Sequence, residues 1–358
     1  VPVGNGDVQF AASTSWFDRR FILDQRCGTV LDVVEDTRDT VAQLDGQVSQ
    51  TVFSTHTLLA GGQALVELFD SPRLEGGHGQ RLRGAVFAQD GWEPHLSMPL
   101  SIAAGVRGDF DSQFGSAVTP RLAVRFDPVS TLALRLSTGL GFRAPSFQEL
   151  YIDFENPSVG YEIVGNPSLR PERSWGTNLS AQWSPGRWLL SLSVFWNELW
   201  DMIAFTEIAS PTERQRFQNV NFARVRSRGF EVSAGVTIIQ PLSVEAGYTL
   251  TDAQNLTVGV PLDNQAMHRG FGQARFSKRD WGLTATVRFS LTGPRPFYDE
   301  ATSVVTYTAP FGILDARVAK TLGKHVELFV AGMNLAAAGG GDLPIPPLSV
   351  FGGVTVRD

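Results

Sequence analysis

Residues 130–174, STLALRLSTGLGFRAPSFQELYIDFENPSVGYEIVGNPSLRPERS, contain the pattern that decides the fold. The first part alternates, and its apolar face carries Leu132, Leu134, Leu136, Leu140 and Phe142. Small, polar or charged residues occupy the other face. Since successive side chains of a strand point to opposite sides, the pattern predicts a β-strand with one apolar face. Pro145 ends this strand because proline has no N–H to donate, and a long segment without alternation follows.

The same alternation recurs along the whole chain. We predict about sixteen strands, at residues 6–22, 38–49, 52–70, 80–91, 95–110, 117–127, 130–143, 173–185, 187–206, 218–239, 242–253, 267–278, 281–292, 310–321, 325–334 and 347–357. Many reach the ~9–11 residues that a tilted strand needs to cross a bilayer. Strands of soluble proteins average about five or six. The predicted fold class is therefore all-β, a transmembrane antiparallel β-barrel.

The predicted linkers alternate between short and long, which supports the same fold. Tight turns fall at 128–129, 184–186, 277–280 and 323–324, and long loops at 23–37, 144–171, 206–217, 254–266, 293–309 and 335–346. Outer-membrane barrels have short turns on one side and long loops on the other. A soluble β-sandwich is the alternative, because it shows the same residue alternation with its apolar faces packed inward.

Composition limits the possible partners. The chain has 358 residues, a net charge of −6 and a single cysteine, Cys27. No basic tract is present to neutralise phosphates, so we expect no nucleic acid partner. One cysteine can form neither an internal disulfide nor a multi-cysteine metal site, and no histidine has a second His or Cys at ligand spacing. The sequence therefore gives no reason to expect a cofactor or a bound metal.

Two sequence motifs resemble those of a known family. GFRAPSFQELY (141–151) and GNPSLRPERS (165–174) closely resemble the paired FRAP and NP-x-L-x-PE signature of TonB-dependent outer-membrane receptors. HTLLAGGQALVEL, AVFAQDGW, AAGVRGDFDSQFG and PRLAVRF resemble successive barrel strands of that family. The resemblance implies a location in the bacterial outer membrane, with 144–171 as an extracellular loop.

The family also sets an expectation for domain organisation. Its receptors have an N-terminal plug domain and a barrel of 22 strands, the class with a plugged lumen. Residues 1–358 supply only about sixteen predicted strands and no plug. We therefore expect 1–358 to be the β-barrel domain of such a receptor, with the plug and the first strands missing from this sequence.

The resemblance implies a function and its partners. Such a receptor captures a scarce nutrient with its extracellular loops, with a ferric siderophore as the leading candidate and cobalamin or another organic ligand next. The partners would be outer-membrane lipid, the small-molecule nutrient and the TonB complex, which acts through the missing N-terminal region. A passive diffusion porin is the alternative, since sixteen strands around a polar lumen would suit it. No GxSxG elbow and no nucleophile–base spacing stand out, so we predict no catalysis.

The long loop supplies the first candidate ligand contacts. It carries the aromatic residues Phe147, Tyr151, Phe154 and Tyr161, which could stack on a planar ligand. The alternative is that these rings pack the loop against itself and its neighbours. Loop 293–309 supplies two further aromatic candidates, Phe297 and Tyr298.

Two arginines complete the candidate set. Arg135 and Arg143 share the polar face of their strand, where a cation would attract an anionic substrate such as a ferric siderophore. The alternative is that they pair with carboxylates such as Glu231, Glu245 or Asp315.

Overall fold

The computed structural model describes residues 2–3, 6–23, 32–156, 159–211, 214–299, 302–338 and 345–356. Cys27 and parts of the predicted loops 23–37 and 335–346 lie outside the described residues. Sixteen long strands account for most of the described chain. In order they are β1 (Gly6–Leu23), β2 (Val33–Val52), β3 (His56–Asp70), β4 (His78–Trp92), β5 (Leu100–Asp111), β6 (Gly115–Val129), β7 (Leu132–Arg143), β8 (Glu172–Trp183), β9 (Trp188–Ile208), β10 (Gln215–Ile239), β11 (Leu242–Asn255), β12 (His268–Lys278), β13 (Leu283–Thr292), β14 (Phe311–Leu322), β15 (Val326–Met333) and β16 (Ser349–Val356).

The remaining elements are short. One helix, α1 (Phe147–Tyr151), lies in the loop between β7 and β8, and a 3₁₀ turn covers Arg279–Trp281. Short strands lie at Pro2–Val3, Asp153–Asn156, Tyr161–Val164, Val260–Pro261, Pro296–Asp299 and Val304–Tyr307. Among the described residues, neither helical segment has the length or the apolar character to span a membrane.

The chain divides into two compact units. The first comprises Val1–Val124, Ser137–Gly176 and Glu198–Arg224, and the second comprises Arg125–Leu136, Thr177–Asn197 and Val225–Asp358. In the first unit, β1 to β5 pair antiparallel, each with the next strand in sequence. In the second unit, β10 to β16 follow the same rule. This sequential antiparallel pairing confirms the predicted all-β class.

The apolar faces of the strands are open, which distinguishes a membrane fold from a soluble sandwich. On β13, Val287, Phe289 and Leu291 share a face and are 47%, 46% and 49% exposed. On β3, Leu58 and Leu68 share a face and are 46% and 41% exposed. A sandwich would cover such faces with a second sheet. The apolar faces therefore meet lipid, as the outward band of an outer-membrane barrel does.

The polar faces carry hydrogen-bonded networks instead. In the first unit, Arg107 donates to Gln63 Oε1 at 2.9 Å and to Asp109 Oδ1 at 2.8 Å. Gln63 in turn donates to Asp45 Oδ1 at 2.8 Å. Such chains satisfy polar groups where water is present, and they mark this side of the sheet as the aqueous one.

Two linkers depart from the predicted pattern. Residues 95–99 are not part of a strand, and β5 begins only at Leu100, because Pro94 and Pro99 cannot donate to a sheet. The linker between β5 and β6 covers only 112–114, whereas the predicted strands left 111–116 between them. Asp111 Oδ1 closes that turn by accepting the N–H groups of Gln113 and Phe114 at 2.8 and 3.2 Å.

Candidate ligand-binding site

The loop between β7 and β8 is built on the short helix α1. Ser146 forms a reciprocal capping box with Glu149, in which the Glu149 N–H donates to Ser146 Oγ at 3.2 Å and the Ser146 N–H donates to Glu149 Oε2 at 2.7 Å. Such a box satisfies two backbone donors that a helix start leaves unpaired. Since Pro145 has ended β7, the chain begins this helix directly after the strand.

The helix places apolar residues in a packed core. Leu150 is 1% exposed and packs with Leu169 and Ile203, while Phe147 is 3% exposed and packs with Phe69 and Leu74. The two motifs therefore form one buried base for the loop. We name the buried residues Pro145, Phe147, Leu150 and Leu169 the loop base.

A buried arginine supports the Phe147 ring. The Arg81 guanidinium is 3% exposed and lies 4.7 Å from the centre of the Phe147 ring. Arg81 donates from Nη2 to Gln113 Oε1 at 2.8 Å, and Gln113 donates to Tyr151 Oη at 2.5 Å. Gly79 faces the same ring, where an added Cβ would come within 2.6 Å of it, so only glycine fits there. This burial leaves Phe147 no surface for a ligand and corrects the prediction that it contacts one.

Arg143 joins the ends of the loop. Its Nε and Nη2 donate to the two carboxylate oxygens of Glu172 at 2.7 Å each, and its Nη1 donates to both oxygens of Glu149 at 3.1 Å. Glu172 Oε1 also accepts the Ile203 N–H at 2.8 Å. A bidentate arginine–carboxylate pair fixes geometry as well as charge. Arg143 therefore positions the loop.

The expected arginine partners were wrong in detail, although pairing itself was correctly anticipated as an alternative. The carboxylates that hold Arg143 belong to Glu149 and Glu172, whereas the expected partners were Glu231, Glu245 or Asp315 from other strands. Arg135, which belongs to the second unit, donates to Gln182 Oε1 at 3.3 Å.

The second motif is anchored to β10. Asn166 Nδ2 donates to the Asn219 carbonyl at 2.9 Å, and Asn166 Oδ1 accepts the Ser168 N–H at 3.1 Å. Asn221 Nδ2 donates to the Arg170 carbonyl at 2.9 Å, and the Arg170 N–H donates to Asn221 Oδ1 at 2.8 Å. These bonds support the interpretation that the two sequence motifs set the loop geometry.

Above the loop base, the first unit presents a row of aromatic rings. Phe154 and Tyr161 meet edge to face with ring centres 6.1 Å apart, and Tyr161 meets Phe217 in the same manner at 6.2 Å. Phe217 stacks on Phe205 at 5.2 Å. Phe205 is 52% exposed at the end of the row. We name Phe154, Tyr161, Phe217 and Phe205 the aromatic row.

An arginine closes the other end of the aromatic row. The Arg73 guanidinium lies between two rings, 4.1 Å from the centre of Phe154 and 4.2 Å from that of Phe21, and it pairs with Glu35. Arg73 Nη2 is shielded from solvent, yet it has no hydrogen-bond partner among the described residues. A buried donor without a partner is costly, so this N–H group favours an added acceptor such as a ligand oxygen.

The structure brings together some of the predicted site residues. Tyr151, Phe154, Tyr161 and Arg143 lie in the first unit around one loop, with Tyr151 packed against the core. Phe297 and Tyr298 lie in a small hairpin of the second unit, where Phe297 is 40% exposed and the Tyr298 N–H donates to Asp263 Oδ1 at 2.9 Å. No group of metal-ligating side chains occurs in the described part of the chain.

Sequence reasoning missed three members of this surface, Arg73, Phe205 and Phe217. Tyr161–Val164 pairs parallel with residues 215–218, and this pairing places Phe217 beside the loop. No short-range sequence pattern predicts that pairing. The S-x-x-E capping box at Ser146 was a readable signal for the helix.

The chain is similar in sequence to known proteins. Residues 6–335 match the family model described as TonB dependent receptor-like, beta-barrel. The iron-regulated outer membrane virulence protein of Vibrio cholerae serotype O1 is 30% identical over 190 residues, which are 49% of this chain and 28% of that protein. A vitamin B12 transporter of Vibrio vulnificus is 30% identical over 141 residues, 39% of this chain and 21% of that protein.

A solved structure agrees over nearly the whole chain. A mutant of the ferric enterobactin receptor of Pseudomonas aeruginosa superposes with a TM-score of 0.80 at 15% identity, covering 99% of this chain and 59% of that one. At this identity the likeness shows the fold alone. The chain spans well under half the length of the two curated relatives above, at 28% and 21%.

The fold, the open apolar faces and these matches define an outer-membrane β-barrel. The chain belongs to the TonB-dependent receptor family, within its β-barrel domain. Among the proteins named above, one is described as a transporter and one as a receptor, in line with the expectation from the paired motifs.

Proposed function

We propose that the chain forms the wall and the capture surface of an outer-membrane receptor for a scarce nutrient. A ferric siderophore is the leading substrate, and cobalamin or another organic ligand comes next. The observation that carries the proposal is the aromatic row, which ends at a guanidinium with one N–H group that has no hydrogen-bond partner in the described part of the chain. Rings supply stacking area, and the guanidinium supplies charge and donors for an anionic ligand.

The names of the relatives support this choice of substrate. They refer to iron regulation, vitamin B12 transport and ferric enterobactin. The match to receptors favours uptake over the alternative of a passive diffusion porin. In this proposal the TonB complex energises transport through the N-terminal region of the whole receptor, and the chain itself performs no catalysis.

Residues in the proposal have distinct roles. Phe154 and Tyr161, predicted from sequence, contact the ligand together with Arg73, Phe205 and Phe217. Arg143 and Tyr151 hold the loop in place. Arg135, Phe297 and Tyr298 remain proposed contacts, and they belong to the second unit.

The proposal is tested by removing rings from the aromatic row. We expect Phe154→Ala, Tyr161→Ala and Phe205→Ala together to weaken binding of the cognate ligand at least tenfold, about 1.4 kcal/mol, because a few aromatic anchors dominate recognition. The native receptor would be titrated with a ferric tris-catecholate, a ferric tris-hydroxamate and cobalamin. The ligand that binds most tightly identifies the substrate class.

A matched control is available in the second unit. Phe297→Ala with Tyr298→Ala removes aromatic area from another loop, and we expect it to change affinity less than the row variant. Full affinity in the row variant, with a loss in the control, would move the binding site to the hairpin at 296–307.

A further inference from the structure

On the lipid-facing side of the first unit, the apolar side of β8 begins at an arginine. Arg173 shares that side with Trp175, whose Nε1 donates to Thr138 Oγ1 at 3.0 Å. Thr138 belongs to the apolar face of β7. Glu172 lies on the opposite, polar side of β8, where it binds Arg143. Since successive side chains of a strand alternate, Arg173 lies on the lipid-facing side.

The surroundings of Arg173 place it at the depth of lipid headgroups. β8 follows the long loop 144–171, and the long loops of an outer-membrane barrel face the exterior. Trp175, the next residue on the lipid-facing side, is 38% exposed, and indole rings are enriched where a membrane meets water. On β1 and β2 of the same unit, Arg20 and Asp36 are registered partners near the ends of their strands. They too lie on the lipid-facing side, so charged residues occur at this boundary elsewhere in the unit.

Arg173 lines a groove of about 650 Å³ in the first unit. The apolar residues of its lining come from four strands and include Val118, Leu140, Phe142 and Trp200. Val118 is 65% exposed and Leu140 is 47% exposed, so the groove is open on the side that meets the membrane. We name Arg173, Val118, Leu140, Phe142 and Trp200 the outer groove. It joins one cation to a concave apolar surface.

The charge of Arg173 is not balanced within the outer groove. Among the residues that the structure describes, Arg173 is exposed and has neither a hydrogen-bond partner nor an ion-pair partner. Asp201 also lines the groove, but it pairs with Arg170 at 2.6 Å. At the boundary on β1 and β2, by contrast, Arg20 Nε lies 2.7 Å from Asp36 Oδ1. The guanidinium of Arg173 is therefore available to an anion from outside the chain.

We propose that the outer groove binds a phosphorylated lipid of the outer leaflet, with the phosphate on Arg173 and an acyl chain along the apolar lining. A guanidinium matches phosphate oxygens with forked, charge-assisted hydrogen bonds. The occupant is a lipid because the available cation stands at the end of an apolar surface that already meets the membrane. The groove lies at the long-loop end of the strands, which faces the exterior, so the lipid belongs to the outer leaflet.

The test compares lipids that differ only in phosphate. The native receptor in nonionic detergent would be titrated with bis-phosphorylated lipid A, with dephosphorylated lipid A and with inorganic phosphate, and bound species counted by native mass spectrometry. We expect Arg173→Gln to weaken binding of bis-phosphorylated lipid A about tenfold, about 1.4 kcal/mol. Arg20→Gln is the matched control, because it removes the same charge from the same side of the unit, where the arginine already has a carboxylate. It should leave binding unchanged.

Four results would overturn the proposal. Unchanged lipid A binding in Arg173→Gln would remove the phosphate contact, and an equal loss in Arg20→Gln would indicate attraction by overall charge. Equal binding of dephosphorylated lipid A would mean that phosphate is not recognised. Inorganic phosphate that binds as tightly as the lipid would indicate a site for soluble anions. Heat-modifiable mobility reports folding of each variant, and the two lipid forms are compared on the native protein, so that comparison decides even if a variant fails to fold.

Discussion

Phe147→Ala should open the loop between β7 and β8 and so weaken the nutrient binding that we propose for this loop. The ring is 3% exposed and contacts Phe69 and the Arg81 guanidinium, so its removal leaves a cavity and takes from a buried cation the nearer of its two aromatic neighbours. Truncation of a buried phenylalanine costs about 3–5 kcal/mol. Amide hydrogen exchange of residues 146–152 should therefore accelerate at least about a hundredfold, because exchange measures this local opening.

The control for this prediction is Phe297→Ala in the second unit. That ring is 40% exposed, so its loss should leave exchange in the loop base unchanged. If the amides of residues 146–152 exchanged as slowly in Phe147→Ala as in the native protein, the loop base would not support the proposed capture surface.

Val287→Arg should severely impair insertion into the membrane. Val287 lies in the middle of β13, on the apolar face, and is 47% exposed. Its registered neighbours, Ala274 on β12 and Ala316 on β14, offer no counter-charge. An arginine on the lipid face costs about 2–4 kcal/mol near the bilayer midplane. Equilibrium unfolding in urea with lipid vesicles would measure this loss.

Thr286→Glu is the matched variant, one residue away on the polar face. Water reaches that face, and the registered neighbours Arg275 and Arg317 are cations, so the added carboxylate should change stability little. Heat-modifiable mobility would compare the two variants directly. A stable Val287→Arg beside an unstable Thr286→Glu would mean that the faces of β13 are reversed.

The strands of the barrel could be predicted from the sequence because their signal, the alternation of apolar residues, is local. A period of two needs no knowledge of distant residues, and the strand face of Leu132 and Leu140 follows from it directly. Strand ends were less certain. The start of β5 moved to Leu100 because prolines interrupt a segment whose hydrophobic pattern continues.

The capture surface was only partly readable, since burial there depends on tertiary contacts. Phe147 and Phe154 look alike in sequence, yet Phe147 is buried against Phe69 and Arg81 while Phe154 is only half-buried in the aromatic row. Arg73 comes from another linker, and its role depends on where that linker meets the loop. Arg143 pairs with Glu149 and Glu172, which lie nearer to it in the sequence than the carboxylates expected from the faces of other strands.

The central claim is that this wall and loop belong to an energised receptor. The most direct measurement is uptake of the best-binding radio-iron siderophore complex by cells that express the native receptor, with and without a functional TonB complex. We predict uptake that saturates at low ligand concentration and disappears without the TonB complex. Uptake that rises linearly with concentration and persists without the TonB complex would contradict the account and indicate passive diffusion.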